Sequence, residues 1–427
     1  MRILVIGRGG REHAIIWALK KSESVSRIYC APGNAGIAKM AECVPIPESN
    51  FEELRQFAID IGVDLVVVGP EDPLFEGIVD YFEEKRIPVF GPNKRAAIIE
   101  GSKVFTKELL AKYKIPTAEY RSFENYDEAL DYLHKQKIPI VIKADGLAAG
   151  KGVTVAQSME EAEQALKAMM VDKEFGEAGR KVVIEEFLSG QEMSILAFVD
   201  GNVVRPMVAA QDHKPVYDHD EGPNTGGMGT YSPVPHIPQS VYDQAVEQIL
   251  KPAAEAMVQE DRPFRGVLYA GLMITEDGPK TIEFNCRFGD PETQVVLPRL
   301  KTDLADIFVA TVNGRLQDMD IQWSDEAAVC VVLASGGYPG PYAKGIPIYG
   351  LDEVRESVVF HAGTEFKDGQ VVTNGGRLLG VTGIGRTIAE ARDKAYADAA
   401  KIRYEGRHYR TDIAQKALIA AAGRSDS

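Results

Sequence analysis

The sequence predicts a multidomain protein of mixed α/β and α+β class. Strand and helix signals alternate through residues 1–100, short strands crowd residues 139–285, and residues 326–427 read as a small mixed β/α unit. At 427 residues the chain is long enough for two to four domains.

Each element follows from its local pattern. The run Ile3-Leu4-Val5-Ile6-Gly7 is a buried first strand, too short and too soon followed by glycines for a secretion signal. Helices over 12–21, 51–61 and 78–85 alternate with strands over 27–31, 64–68 and 88–90. Strands separated by helices of that length make βαβ units and a parallel sheet. The turn Gly91-Pro92-Asn93 sets a domain boundary near residue 100, which gives an N-terminal α/β domain over 1–102. Beyond it a helix over 103–113 leads to strands over 139–143 and 153–156, a helix over 160–170, and strands over 182–188, 193–199 and 203–209. Strands this closely spaced predict an antiparallel layout. Residues 212–235, rich in Gly, Pro, Asp and His, read as one long loop of the kind that is either functional or disordered. A helix over 241–260 and strands over 266–274 and 280–285 complete a central domain over 103–325. The C-terminal domain, 326–427, looks like a separate module. It offers a strand over 327–334, an antiparallel sheet from 358–361, 371–374 and 378–382, a helix over 388–402, and a loose tail from 421.

Asp plus Glu number 63 against 48 Lys plus Arg, a formal charge of −15. That field repels nucleic acid and anionic membrane, so neither is expected as a partner. An anionic substrate must then be held by a local basic cluster or by backbone N–H groups. No apolar run approaches the ~20 residues that span a bilayer. Cys30, Cys43, Cys286 and Cys330 lie far apart with no CxxC, which argues against a zinc knuckle or a disulfide framework and suits a reducing cytoplasm.

Four stretches carry residues suited to chemistry. Gly7-Arg8-Gly9-Gly10-Arg11-Glu12 follows a strand and opens a helix, where backbone N–H groups can hold an anion. Glu12 stands where a dinucleotide fingerprint needs glycine, and no acid ends the second strand, so an NAD-linked oxidoreductase is disfavoured. Lys143-Ala144-Asp145-Gly146-Leu147-Ala148-Ala149-Gly150-Lys151-Gly152 is small, flexible and basic; its spacing fails the Walker A pattern, yet such a hairpin can fold over a triphosphate. In Glu283-Phe284-Asn285, strand alternation puts the carboxylate and the amide on one face, a donor pair suited to Mg²⁺ that also binds substrate phosphates. Arg287 and Asp290, in the turn that follows, pair a guanidinium fork with an acid, which suits a small zwitterion. His213, His219 and His236 match no metal motif and read as solvated loop residues.

Together these residues resemble the ATP-grasp enzymes, and within them the phosphoribosylamine–glycine ligase family. The most specific marker is Arg287-Phe288-Gly289-Asp290-Pro291-Glu292-Thr293-Gln294. Residues 5–13, Ala31-Pro32-Gly33-Asn34-Ala35-Gly36, and Gly222-Pro223-Asn224-Thr225-Gly226-Gly227-Met228-Gly229 are also similar. One departure from many ATP-grasp enzymes is that 268–272 lacks the acid that often adds a metal ligand.

The resemblance implies a central ATP-grasp domain with a lid at about 118–192. It implies a soluble ligase using ATP with Mg²⁺ or Mn²⁺ to join glycine to 5-phosphoribosylamine, as a monomer or weak homo-oligomer in the cytoplasm. The alternative is another carboxylate–amine ligase or a formate-dependent transferase acting on a phosphoribosyl substrate; a nucleotide-sensing module is separated by steady ADP production. By resemblance, Lys103 and Lys143 face the phosphates, and Gly146, Leu147, Ala148, Gly150, Lys151 and Gly152 form the lid hairpin. Glu185, Glu186, Phe187 and Leu188 meet adenine, Glu192 the ribose, and Glu283 and Asn285 the metal. Glycine lies near Asp212, Asn224, Thr225, Arg287 and Asp290, with Arg287, Lys143 and Asp290 as the catalytic set. Phosphoribosylamine lies among Gly9, Gly10, Glu71 and Arg377.

Overall fold

The computed structural model describes residues 1–148 and 151–425. Its first sheet is parallel throughout, in the order Glu42–Cys43, Arg27–Pro32, Arg2–Gly7, Leu65–Val68, Val89–Phe90. The strands are buried on both faces and therefore read as continuous apolar runs. Local chemistry fixes the helices between them. Asn50 caps Phe51–Ile61 by accepting the Glu53 N–H, and Gly62, left-handed at φ 72°, ends it. The chain leaves the first strand on one side and returns on the other, which opens a crevice at its carboxyl end. Gly9, Gly10, Asn34 and Glu71 all follow strand ends at this crevice.

Two antiparallel sheets follow. One, Tyr120–Phe123, Val182–Glu186, Ile140–Ala144, Val153–Ala156, has its own core of Phe123, Leu133, Ile142, Leu166 and Ile184. The other, Val203–Pro206, Gln191–Asp200, Arg265–Thr275, Gly278–Asn285, shares a core with the N-terminal sheet, where Leu4, Ile6 and Phe82 join Ile249, Phe264 and Phe284. The long central helix is interrupted by a π turn, Val246–Leu250, between Gln239–Ala245 and Lys251–Gln259.

The structure corrects the sequence reading of the second half. Residues 212–235 are not one loop: Gln211–Asp212 and Gly229–Ser232 extend the C-terminal sheet, and Pro215–Tyr217 pairs with Glu221–Asn224. The C-terminal sheet, in the order Gln211–Asp212, Gly229–Ser232, Ala327–Ala334, Arg377–Gly385, Val358–His361, is therefore built from two parts of the chain rather than one module. Gln370–Thr373 stands outside it, in a hairpin with Thr364–Lys367. The tail forms a helix, Gln415–Ser425, anchored by the buried Ala417. Among the described residues no helix is long and apolar enough to cross a membrane.

Candidate active site

Three groups of side chains meet along the strand Gly278–Asn285 and the turn after it. The first surrounds Glu185. Lys143 and Glu185 lie on adjacent strands, with Val141 opposite Glu185, and their side chains form a buried ion pair. Lys107 reaches the same carboxylate at 2.6 Å and donates to Thr117 Oγ1 at 2.7 Å. Burial alone would push Glu185 up; Lys143 and Lys107 outweigh it and hold the carboxyl below its usual range. Lys143 Nζ also donates to the Ile282 carbonyl at 3.4 Å, next to Glu283. Lys103 opens the helix Lys103–Lys112 and donates to the Gly146 carbonyl at 3.3 Å. Asp145 fastens that helix start to the hairpin by accepting the Val104 N–H at 2.8 Å and the Ser102 hydroxyl at 3.0 Å. Leu147, Lys151 and Phe187 are exposed, Ala148 and Leu188 half-buried and Gly152 buried; Gly150 lies outside the described residues. Glu186 accepts the Glu119 N–H at 3.0 Å.

The second group holds Glu192, Asp212, Lys214 and Glu283. Asp212 is buried, and its Oδ2 has no hydrogen-bond partner among the described residues. Burial pushes its carboxyl up despite Lys214. Asp212 in turn raises Lys214 well above the ordinary lysine range against the opposing effect of burial. Burial also raises Glu192. The Glu283 carboxylate makes no hydrogen bond or ion pair among the described residues, and Asn285 turns its amide NH₂ to the Phe284 carbonyl at 3.1 Å. A free carboxylate and the oxygen end of an amide fit a Mg²⁺ ion that takes its other ligands from phosphate and water. No group of three or more His, Cys, Asp or Glu side chains is arranged for a metal among the described residues.

The third group closes the crevice of the first sheet. Arg287 Nε meets Glu71 at 3.2 Å and Glu100 at 3.5 Å. Arg287 Nη1 donates to the Phe288 carbonyl at 3.4 Å, and Nη2 makes no hydrogen bond among the described residues. Burial and then Arg287 and Arg11 act oppositely on Glu71, with a net lowering. Glu100 is different. Its burial, with Glu71 adding repulsion, overcomes Arg287 and pushes it up to about 7. Asp290 accepts the Arg11 N–H at 3.2 Å and the Gln294 amide at 2.9 Å, and lies 3.6 Å from Arg377. Burial would raise Asp290, but Arg377 and Arg11 prevail and lower it. Arg377 also donates to the carbonyls of Asp290 at 3.1 Å and Gly227 at 3.4 Å, so it is a junction residue rather than a loose surface arginine.

Two sequence expectations change here. Arg287 and Asp290 do not face one another as a single grip; each turns to its own partners, beside Gly9, Gly10, Glu71 and Arg377. Asp212 lies in the second group, Asn224 is exposed, and Thr225 donates to the Lys214 carbonyl at 2.7 Å. His213 is not solvated. It is 2 % exposed, accepts the Ala414 N–H at 3.2 Å, and burial, then Arg410 and Lys416, depress it to about 3. His236 is half-buried, and only His219 is exposed as expected. Glu12 explains its own presence in the glycine loop: its carboxylate accepts the N–H groups of Arg8 at 3.2 Å and Gly9 at 2.9 Å, which a dinucleotide phosphate would need.

Family models of the phosphoribosylglycinamide synthetase N domain, ATP-grasp (A) domain and C domain match residues 1–100, 101–293 and 328–416. The chain belongs to the phosphoribosylglycinamide synthetase family. It is 53 % identical over 414 residues to the phosphoribosylamine–glycine ligase of Caldanaerobacter subterraneus subsp. tengcongensis, covering 97 % of this chain and 99 % of that one. The ligase of Halalkalibacterium halodurans is 52 % identical over 428 residues, with 100 % of both chains covered. The crystal structure of the Thermotoga maritima ligase superposes with a TM-score of 0.82 at 37 % identity, covering 97 % of this chain and 100 % of that one. A biotin carboxylase domain from Hydrogenobacter thermophilus, solved with MgADP and bicarbonate, shares the fold at a TM-score of 0.72 and 16 % identity, covering 96 % of this chain and 91 % of that one.

Lys107, Glu100 and Lys214 escaped sequence reasoning, whereas Arg11 stood in the glycine-rich stretch already singled out. Lys107 left a signal, since it stands four residues after Lys103 on one face of a helix. Glu100 and Lys214 are isolated charges whose partners are supplied by distant parts of the chain.

Proposed function

We propose that this chain joins glycine to 5-phosphoribosylamine using ATP, through a glycyl phosphate, to give glycinamide ribonucleotide, ADP and phosphate. What supports the reading most is the continuity of one segment: the strand and turn from Ile282 to Asp290 run from the Lys143 pair, past Glu283 and Asn285, to Arg287 and the crevice.

A carboxylate resists amine attack because oxide cannot leave. One oxygen of the glycine carboxylate attacks the γ-phosphorus of ATP, and ADP departs. The amine of phosphoribosylamine then attacks the acyl carbon, the amide C–N bond forms, and phosphate leaves with the carboxylate oxygen. Such chemistry needs positioning and charge neutralisation more than a protein nucleophile. Lys103 and Lys143 neutralise phosphate oxygens, and Glu185 holds Lys143 in place. Glu283 and Asn285 would hold Mg²⁺, which supplies further charge neutralisation. Asp212 and Lys214 offer an acid and a base to the two ends of glycine, and Arg287 stands between the two substrates. Gly9, Gly10, Glu71, Asp290 and Arg377 take phosphoribosylamine, while Gly146, Leu147, Ala148, Lys151, Gly152 and segment 186–188 cover the nucleotide, with Glu192 toward its ribose.

The test is phosphate release. Release that requires both glycine and phosphoribosylamine is expected. Equal release with formate in place of glycine would overturn the reading.

A further inference from the structure

Asn34 takes no part in the chemistry above, yet its amide is fully engaged. Nδ2 donates to the carbonyls of Arg8 at 2.7 Å and His361 at 2.8 Å, and Oδ1 accepts the N–H groups of Gly36 and Ile37, each at 3.0 Å. Two donors and two acceptor lone pairs are all that an amide side chain has. Arg8 belongs to the glycine-rich loop, whereas His361 ends the edge strand of the C-terminal sheet. A second tie runs alongside: His13, on the helix after the loop, accepts the His361 N–H at its Nδ1 at 2.7 Å. Burial and the nearby His361 keep His13 neutral, with its pKa down at about 3, so this nitrogen stays an acceptor. The joint is tight. A Cβ on Gly36 would lie 2.3 Å from the His361 ring and 2.7 Å from that of His13.

We infer that Asn34 is a positioning residue for phosphoribosylamine: by bridging the Arg8 and His361 carbonyls it fastens the glycine-rich loop to the C-terminal sheet, so that the C-terminal domain sets the loop's geometry. This rests on the reading of the loop as part of the phosphoribosylamine site. Asn34→Asp keeps the size and one acceptor oxygen. It sets a second acceptor against two carbonyls, which loses both bridging bonds and adds repulsion.

The experiment is initial-rate kinetics of the full chain with each substrate varied, together with hydrogen–deuterium exchange of residues 7–13. In Asn34→Asp the KM for phosphoribosylamine is expected to rise roughly tenfold or more, with the KM values for ATP and glycine within about twofold. Exchange over 7–13 is expected to quicken. His13→Ala, which removes only the second tie, is expected to act in the same direction and more weakly, and it serves should Asn34→Asp fail to fold. An unchanged KM for phosphoribosylamine, an equal rise in all three KM values, or unchanged exchange would overturn the inference. If the unaltered chain turned over no phosphoribosylamine, the functional reading would fail, and the exchange result would still judge the clasp.

Discussion

Replacing Arg287 with Lys leaves one positive charge in place and removes the planar fork. The guanidinium spans Glu71 at 3.2 Å, Glu100 at 3.5 Å and the Phe288 carbonyl at 3.4 Å. An ammonium on a flexible stem cannot reproduce that set or aim a second nitrogen at substrate. Loss of one preorganised donor at a reacting centre costs about 2.7–4 kcal/mol, or ~10²–10³-fold in rate. The fold should suffer far less. Burial already pushes Glu100 up to about 7, so taking up a proton relieves the weakened pairing at small cost near neutral pH. Phosphate release measured against glycine concentration should therefore show kcat/KM for glycine lower by ~10²–10³-fold, with the thermal midpoint moved by only a few degrees. An unchanged glycine response would remove Arg287 from the glycine side of the reaction. A midpoint collapse matching the lost activity would make it a structural residue.

Three further outcomes are expected. Glu283→Gln should abolish turnover and leave the thermal midpoint near that of the unaltered chain, since the Glu283 carboxylate makes no hydrogen bond or ion pair among the described residues; substantial activity at low Mg²⁺ would contradict its placement. Glu185→Gln should destabilise the chain by about 3–5 kcal/mol in denaturant titration, because Lys107 and Lys143 lose their shared counter-charge in a buried setting. Asp398 should give an acid-dependent term. Burial would raise it, but Lys401, Ser357 and the N–H groups of Arg355 and Glu356 outweigh that and bring it down to about 2 from 3.8. A carboxyl lowered on folding stabilises above its unfolded pKa and loses that contribution as pH falls through its folded one. Unfolding titrations should then show Asp398→Asn less stable by about 2 kcal/mol at pH 7, the gap closing between about pH 4 and pH 2.

The N-terminal half was largely legible because its signals are local. The apolar run at Ile3–Ile6, the helical spacing over 51–61 and the Gly91-Pro92-Asn93 turn each act within a few residues. The helix Tyr126–His134 has the same kind of start, with Asn125 accepting the Glu128 N–H, but the sequence reading passed over it. The errors in 212–235 have a different cause. Gly229–Ser232 becomes a strand because Ala327–Ala334, about a hundred residues later, offers it an edge, and His213 is buried by the segment around Ala414. Lys143, Glu283 and Arg287 could be found because motifs surround them. Glu100 and Lys214 could not, since a lone acid or base carries meaning only after folding has chosen its neighbours.

The step on which everything else depends is transfer of the γ-phosphoryl group to the glycine carboxylate. Turnover of glycine labelled with ¹⁸O in its carboxylate, in the presence of ATP and phosphoribosylamine, followed by mass analysis of the released phosphate, tests it most directly. One labelled oxygen in each phosphate is predicted. Phosphate free of label, with amide product formed, would contradict the glycyl phosphate route.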